Sequence, residues 1–123
     1  MRAVPSCVYT DPEIAVVGKT EVELINDGLT YKTGVFDMRT LGKAQASGKL
    51  SGFVKVITDE NDVIIGASIV GEHASDMISL LTAAVSFGIT AEKLSKIIFP
   101  HPTMSEAILE ACEDIKGESI HKM

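Results

Sequence analysis

The stretch Phe53–Val70, FVKVITDENDVIIGASIV, predicts a β-hairpin and decides the fold class of the chain. Two runs rich in β-branched residues, Phe53–Thr58 and Val63–Val70, flank four polar residues, Asp59–Asp62. β-Branched side chains favour strands, and a polar connection of this length suits a type I turn between antiparallel partners. The two runs are therefore predicted to lie side by side as antiparallel strands.

The residues before the hairpin predict further strands and one short helix. The strand pattern recurs in three apolar runs, which are Val4–Thr10, Glu13–Gly18 and Tyr31–Met38. Thr20 and Glu23 have the spacing of a capping box, which begins a helix, and Gly28 ends it. The glycine- and lysine-containing segment Arg39–Lys49 is predicted to be a loop.

The residues after the hairpin have a helical period instead. Ala74–Phe87 carries apolar residues at spacings of three and four with few charges, which predicts a helix covered on more than one side. A short helix is predicted at Thr90–Ile97, and a last helix carries an apolar stripe of Met104, Ile108, Ala111, Cys112 and Ile115. Residues 117–123 are predicted to be a frayed tail.

Strands followed by helices, without βαβ alternation, predict an α+β fold. The expected architecture is an antiparallel sheet of about five strands with helices packed on one face. At 123 residues the chain has the size of one domain, so residues 1–123 are expected to form a single unit.

Composition and charge exclude several classes of function. Acidic residues outnumber basic ones by 17 to 11 and no block of Lys or Arg occurs, which disfavours nucleic acid or an anionic membrane as a partner. No apolar run is long enough to cross a bilayer and no signal peptide is evident, so a cytoplasmic location is expected. The two cysteines, Cys7 and Cys112, lie outside any metal-ligand or redox spacing and are expected to be buried and unreactive, without a metal site.

One segment has the composition of an acid–base site. Residues 99–107, FPHPTMSEA, place His101 between two prolines and Glu106 in the first turn of the helix that follows. A carboxylate that turns back onto an imidazole fixes its tautomer and raises its basicity, as a general acid–base histidine requires. The same pattern also suits a structural histidine in a loop and a Glu that stabilises the helix through its dipole. Spacing alone therefore leaves both interpretations open.

The chain resembles the C-terminal dimerisation domain of the pyridine nucleotide-disulfide oxidoreductases, and among them the dihydrolipoamide dehydrogenases. The resemblance rests on the His-Pro-Thr-x-Ser-Glu signature at residues 101–106, together with three further segments in the same order. These segments are residues 4–20, VPSCVYTDPEIAVVGKT, residues 52–57, GFVKVI, and residues 65–71, IGASIVG. The match extends from Val4 to about Ala111.

The resemblance implies a function for a larger enzyme. In this family the domain completes the active site of the partner subunit, so His101 would be the acid–base and Glu106 would orient its ring. His101 and Pro102 would also lie against the flavin. The implied reaction is the oxidation of dihydrolipoamide to lipoamide by NAD⁺, with FAD and NAD as cofactors in the parent enzyme. This chain alone is expected to bind neither cofactor tightly and to be inactive, because it lacks a redox cysteine pair and glycine-rich dinucleotide-binding turns.

The resemblance also implies partners. These are a second copy in a homodimer, FAD and NAD domains of the same polypeptide, and the lipoyl domain of a 2-oxoacid dehydrogenase complex or a related complex, with a role in redox homeostasis. Phe99 departs from the family, which commonly has a histidine there. The alternatives are a free-standing dimerisation or interaction module without catalysis, and the same domain of a glutathione-reductase-like enzyme. The mercuric reductases are disfavoured, because their vicinal cysteine pair is missing.

Overall fold

One antiparallel sheet organises the molecule. The computed structural model describes residues 3–9, 13–37, 52–71, 74–96, 106–117 and 120–121. Within them the strands are β1 Ser6–Val8, β2 Ile14–Gly18, β3 Tyr31–Asp37, β4 Phe53–Thr58, β5 Ile64–Val70 and β6 Ile120–His121. The helices are α1 Glu21–Asn26, α2 Ala74–Phe87, α3 Ala91–Ser95 and α4 Glu106–Gly117. The strand order is β1-β2-β5-β4-β3-β6, and every neighbouring pair is antiparallel.

The predicted α+β class and the central hairpin are confirmed. β4 and β5 pair from Phe53 opposite Val70 to Thr58 opposite Ile64, with a register shift next to the turn. The Asp59 carboxylate closes that turn by accepting hydrogen bonds from the backbone N–H groups of Asn61 at 2.9 Å and Val63 at 3.0 Å. The short side chain of Asp at the start of the turn therefore replaces backbone partners that the strands cannot supply.

The main core lies between the sheet and the helices α2 and α4. Val54, Val56 and Ile69 of the sheet are fully buried there, together with Leu81 of α2 and Ile108 of α4. Alternate residues of a strand face opposite sides, so one apolar face of the sheet is matched by one apolar stripe on each helix. Burial of these stripes, rather than helix propensity, accounts for the position of both helices.

Helix α1 is an exception to the prediction that the helices pack on one face. Its Leu24 packs with Tyr31 and Ile57 in a second, smaller cluster. Ile57 points away from its neighbour Val56, so α1 covers part of the opposite face. The predicted capping box is confirmed, because Thr20 accepts from the Glu23 backbone N–H at 3.2 Å and Glu23 accepts from the Thr20 N–H at 2.9 Å.

Two observations concern the C-terminal part of the chain. The tail predicted to be frayed contains β6, where Ile120 and His121 pair with Lys32 and Tyr31 at the outer edge of β3. A two-residue strand has no sequence pattern of its own, and it forms because an edge strand offers free backbone groups. The apolar stripe predicted on the last helix is not free for a partner, because its described members from Ile108 to Ile115 are buried in the chain's own core.

Other predicted elements agree to within a few residues or lie outside the described part. Helix α2 has the predicted bounds, and Thr90 caps α3 instead of beginning it. The predicted loop Arg39–Lys49 and Met104 lie outside the described residues. In the described part, none of the helices has the length and apolar character to cross a membrane.

Candidate functional site

The candidate acid–base pair is only partly placed. His101 and Pro102 lie outside the described residues, as does Phe99. Glu106 is the first residue of α4, as its position in the predicted first turn requires. The structure therefore describes the helix that begins with Glu106, and the geometry of the pair lies outside the described residues.

Helix α4 is held on the sheet by its buried side. Ala107, Ile108, Ala111 and Cys112 are at most 1% exposed, and α4 contacts β3, β4 and α3. The opposite side of the helix carries Glu110 and other acidic residues toward solvent. Because one face is apolar and the other charged, the helix has a single favourable rotation about its axis.

Gly34 of β3 allows α4 to approach the sheet closely. A Cβ atom at this position would overlap the backbone carbonyl oxygen of Ala111, and would lie 2.7 Å from Cγ1 and 3.0 Å from the backbone nitrogen of Ile115. Two of these three atoms are backbone atoms, which cannot move aside by changing a rotamer. The absence of a side chain at Gly34 therefore sets the distance between α4 and β3.

Asp114 joins the same helix to the same strand by a hydrogen bond. The backbone N–H of Val35 donates to Oδ2 of Asp114 at 2.9 Å. Val35 also pairs with Lys55 of β4, but that pair leaves its N–H on the outer edge of β3. The carboxylate thus satisfies an edge donor and fixes the position of α4 along the strand.

Glu13 was not singled out by sequence reasoning, although it lies in the family segment at residues 4–20. Its Oε1 accepts hydrogen bonds from the backbone N–H of Ser75 at 3.0 Å and from the Ser75 hydroxyl at 2.8 Å, while its carbonyl accepts from Gly71 N–H at 2.9 Å. A carboxylate at this place accepts hydrogen bonds from the N–H groups that lack helical partners at the start of α2, and its negative charge interacts favourably with the helix dipole. The residues lie 62 positions apart in sequence, so no local pattern could have shown this contact.

A polar cluster on the opposite sheet face was also missed. The Lys55 ammonium pairs with Oε1 of Glu21, and the Tyr31 hydroxyl donates to Oε2 at 3.0 Å. Burial, followed by the bond to Glu21 and its charge, raises the pKa of Tyr31 above its ordinary value. The cluster links α1 to β3 and β4, so we interpret it as a structural contact and not as a functional site.

Cys112 is the cysteine that meets the expectation of a buried, unreactive thiol. Both cysteines are free; Cys112 is buried in the core and Cys7 is partly buried. Burial, followed by the nearby charges of Asp62 and Glu113, raises the pKa of Cys112 to about 12, so it is a thiol at neutral pH. Among the described residues no group of His, Cys, Asp and Glu has the arrangement of a metal site.

The comparisons with known proteins identify the family. The family model described as "Pyridine nucleotide-disulphide oxidoreductase, dimerisation domain" matches residues 4–112. The chain belongs to this family. Dihydrolipoyl dehydrogenase 3 of Haloarcula marismortui is 41% identical over 122 residues, which are 98% of this chain and 26% of that protein. Dihydrolipoyl dehydrogenase of Bacillus subtilis is 42% identical over 119 residues, 96% of this chain and 25% of that protein.

Two solved structures share the fold. LpdA from Mycobacterium tuberculosis superimposes with a TM-score of 0.85 at 32% identity, over 89% of this chain and 24% of that one. The HOCl-induced flavoprotein disulfide reductase RclA from Escherichia coli gives a TM-score of 0.86 at 24% identity, over 92% of this chain and 26% of that one, and shows likeness of fold alone. The chain thus spans about a quarter of the length of the relatives it matches, and the predicted family and fold class are confirmed.

Proposed function

We propose that this chain is the dimerisation domain of a dihydrolipoyl dehydrogenase, and that His101 and Glu106 serve as an acid–base pair in the active site of the partner subunit. The observation that carries the proposal is the 41% identity over 98% of the chain to a protein named dihydrolipoyl dehydrogenase. Two further observations support the proposal. The sequence contains the family signature with His101 and Glu106, and Glu106 is the first residue of α4, which is packed on the sheet.

In the proposed mechanism His101 moves a proton and Glu106 holds the ring. The imidazole takes a proton from a thiol of the dithiol–disulfide exchange and returns it in the reverse direction. A thiol with a pKa near 8.5 is mostly protonated at neutral pH, so a base beside it raises the thiolate fraction. The Glu106 carboxylate accepts from the other ring nitrogen and stabilises the imidazolium.

FAD and NAD belong to the proposed parent enzyme, and the described residues do not fit either of them. Dinucleotide sites lie at the carboxyl ends of parallel strands in βαβ units, whereas every strand pair in this sheet is antiparallel. We therefore assign flavin and nicotinamide binding to other domains of the same polypeptide. The predicted contact of His101 and Pro102 with the flavin remains part of the proposal.

The proposed partners are a second copy of the chain and a lipoyl domain that carries the dithiol. A reducing cytoplasmic compartment is proposed as well, because the two cysteines are free and lie in separate elements. The size of the native polypeptide, measured by immunoblot of source-cell extract, tests the premise of a parent enzyme. A band several-fold larger than 13.1 kDa supports it, and a band at 13.1 kDa supports a free-standing interaction module instead.

The activity test uses variants of the full-length polypeptide. We expect His101→Ala to lower the rate of dihydrolipoamide oxidation by NAD⁺ on the order of 10²–10⁴-fold. Glu106→Gln is expected to lower it less and to move the acidic limb of the pH profile to lower pH, because the imidazolium loses its carboxylate. Glu110→Gln, one turn further along the same helix and exposed, is the matched control and should change neither. Wild-type activity in His101→Ala would refute the proposal.

A further inference from the structure

Gly34 lies in the interior of a regular strand, where glycine has no conformational reason to be. Its φ is not positive, unlike that of Gly18 or Gly28, so other residues could adopt its backbone conformation. A glycine in a strand lacks a side chain to pack and weakens the strand, and it commonly marks a close approach of another backbone. The close approach here is that of α4, at Ala111 and Ile115.

The contact of Gly34 with α4 cannot absorb an added methyl group without movement of the helix. The nearest atoms to an added Cβ there are the carbonyl oxygen of Ala111, then Cγ1 and the backbone nitrogen of Ile115. Both residues are at most 4% exposed and their side chains are packed in the core, so neither can turn away. Interiors are close-packed, and an overpacked site is relieved by a shift of the backbone.

A shift at Ala111 reaches Glu106 because both belong to one helix. Ala111 lies five positions after Glu106, which corresponds to roughly 7.5 Å along the axis, less than two turns of a continuous hydrogen-bonded helix. We propose that Gly34 is a positioning residue for the acid–base pair. It sets the distance between α4 and the sheet, and therefore the position of Glu106 at the start of that helix. This inference rests on the proposed function. Displacement of a catalytic group by about 1 Å can lower a rate by about 100-fold.

The test compares Gly34→Ala with Gly28→Ala in the full-length polypeptide. Gly28 has a positive φ of 69° and no atom within 4 Å of its added Cβ, so Gly28→Ala strains the backbone without touching α4. We expect Gly34→Ala to lower kcat on the order of 10- to 100-fold at nearly constant KM. The acidic limb of its pH profile should move to lower pH, as in Glu106→Gln. Gly28→Ala should keep the wild-type kcat and pH profile while it loses stability.

A folded Gly34→Ala enzyme with wild-type kcat and pH profile would overturn the inference. Should that variant fail to fold, Asp114→Asn applies the same test more gently, since it weakens the bond to Val35 that holds α4 on β3. It is expected to lower kcat several-fold with the same shift of the pH profile, and an unchanged profile would again overturn the inference. Activity that survives His101→Ala refutes the proposed function, whereas loss in His101→Ala without loss in Gly34→Ala refutes the positioning role alone.

Discussion

At the scale of the residue, Tyr31 couples stability to alkaline pH. Tyr31 is 1% exposed and its hydroxyl donates to Glu21; burial and this bond raise its pKa above the ordinary value of about 10. A raised pKa in the folded state means that the protonated form stabilises the fold. This contribution is complete below about pH 10 and is lost as the pH rises through the raised pKa. Cys112 acts in the same direction, because its pKa is raised to about 12.

Tyr31→Phe should therefore flatten the alkaline loss of stability. We expect the variant to lose about 1 kcal/mol of unfolding free energy at neutral pH, the value of one hydrogen bond. Above pH 10 its stability should fall less steeply than that of the wild type. Urea unfolding at several pH values measures both effects, with Tyr9→Phe as the control because Tyr9 is 75% exposed. Parallel pH curves for wild type and Tyr31→Phe would show that the Tyr31 hydroxyl does not couple to folding.

At the scale of the element, Asp114 makes the edge of β3 part of the α4 contact. Asp114→Ala removes the acceptor of the Val35 N–H and is expected to cost about 1 kcal/mol of unfolding free energy. The neighbouring Glu113 is exposed on the same helix, so Glu113→Ala controls for the loss of one negative charge. Chemical denaturation of the isolated domain compares the two variants. Equal unfolding free energies for the two variants would mean that the hydrogen bond from Val35 to Asp114 is no more stabilising than a hydrogen bond from Val35 to water.

Local sequence patterns predicted the helices and strands well, and the tertiary contacts between them less well. The bounds of α2 follow from its apolar period, and those of α1 from the capping box of Thr20 and Glu23, because both signals lie within the segment itself. The pairing of β6 and the bond from Glu13 to Ser75 depend on residues far apart in sequence. Such contacts arise from tertiary packing, which local propensity does not encode.

At the scale of the whole molecule, the sequence predicted the family and the fold class. The signature at residues 101–106 and the order of three further segments identified the family, which the comparisons confirm. The distance between α4 and β3 could not be predicted from the sequence, because Gly34 contacts Ala111 only once β3 and α4 have packed. The acid–base geometry involves a partner subunit in the proposed enzyme, so a single chain does not contain it.

Self-association of the isolated chain tests the proposed homodimer at this scale. The stripe of α4 is used in the core, so we predict the dimer surface on the outer side of α2. That helix has one charged residue in fourteen, and its Phe87 is 79% exposed. Analytical ultracentrifugation at micromolar concentration is expected to give twice 13.1 kDa. Phe87→Glu should weaken the dimer, because a charge in an apolar interface must be desolvated. Val22→Glu, at a site 66% exposed on α1, should leave it intact. A monomeric wild type would mean that association requires the remaining domains of the polypeptide.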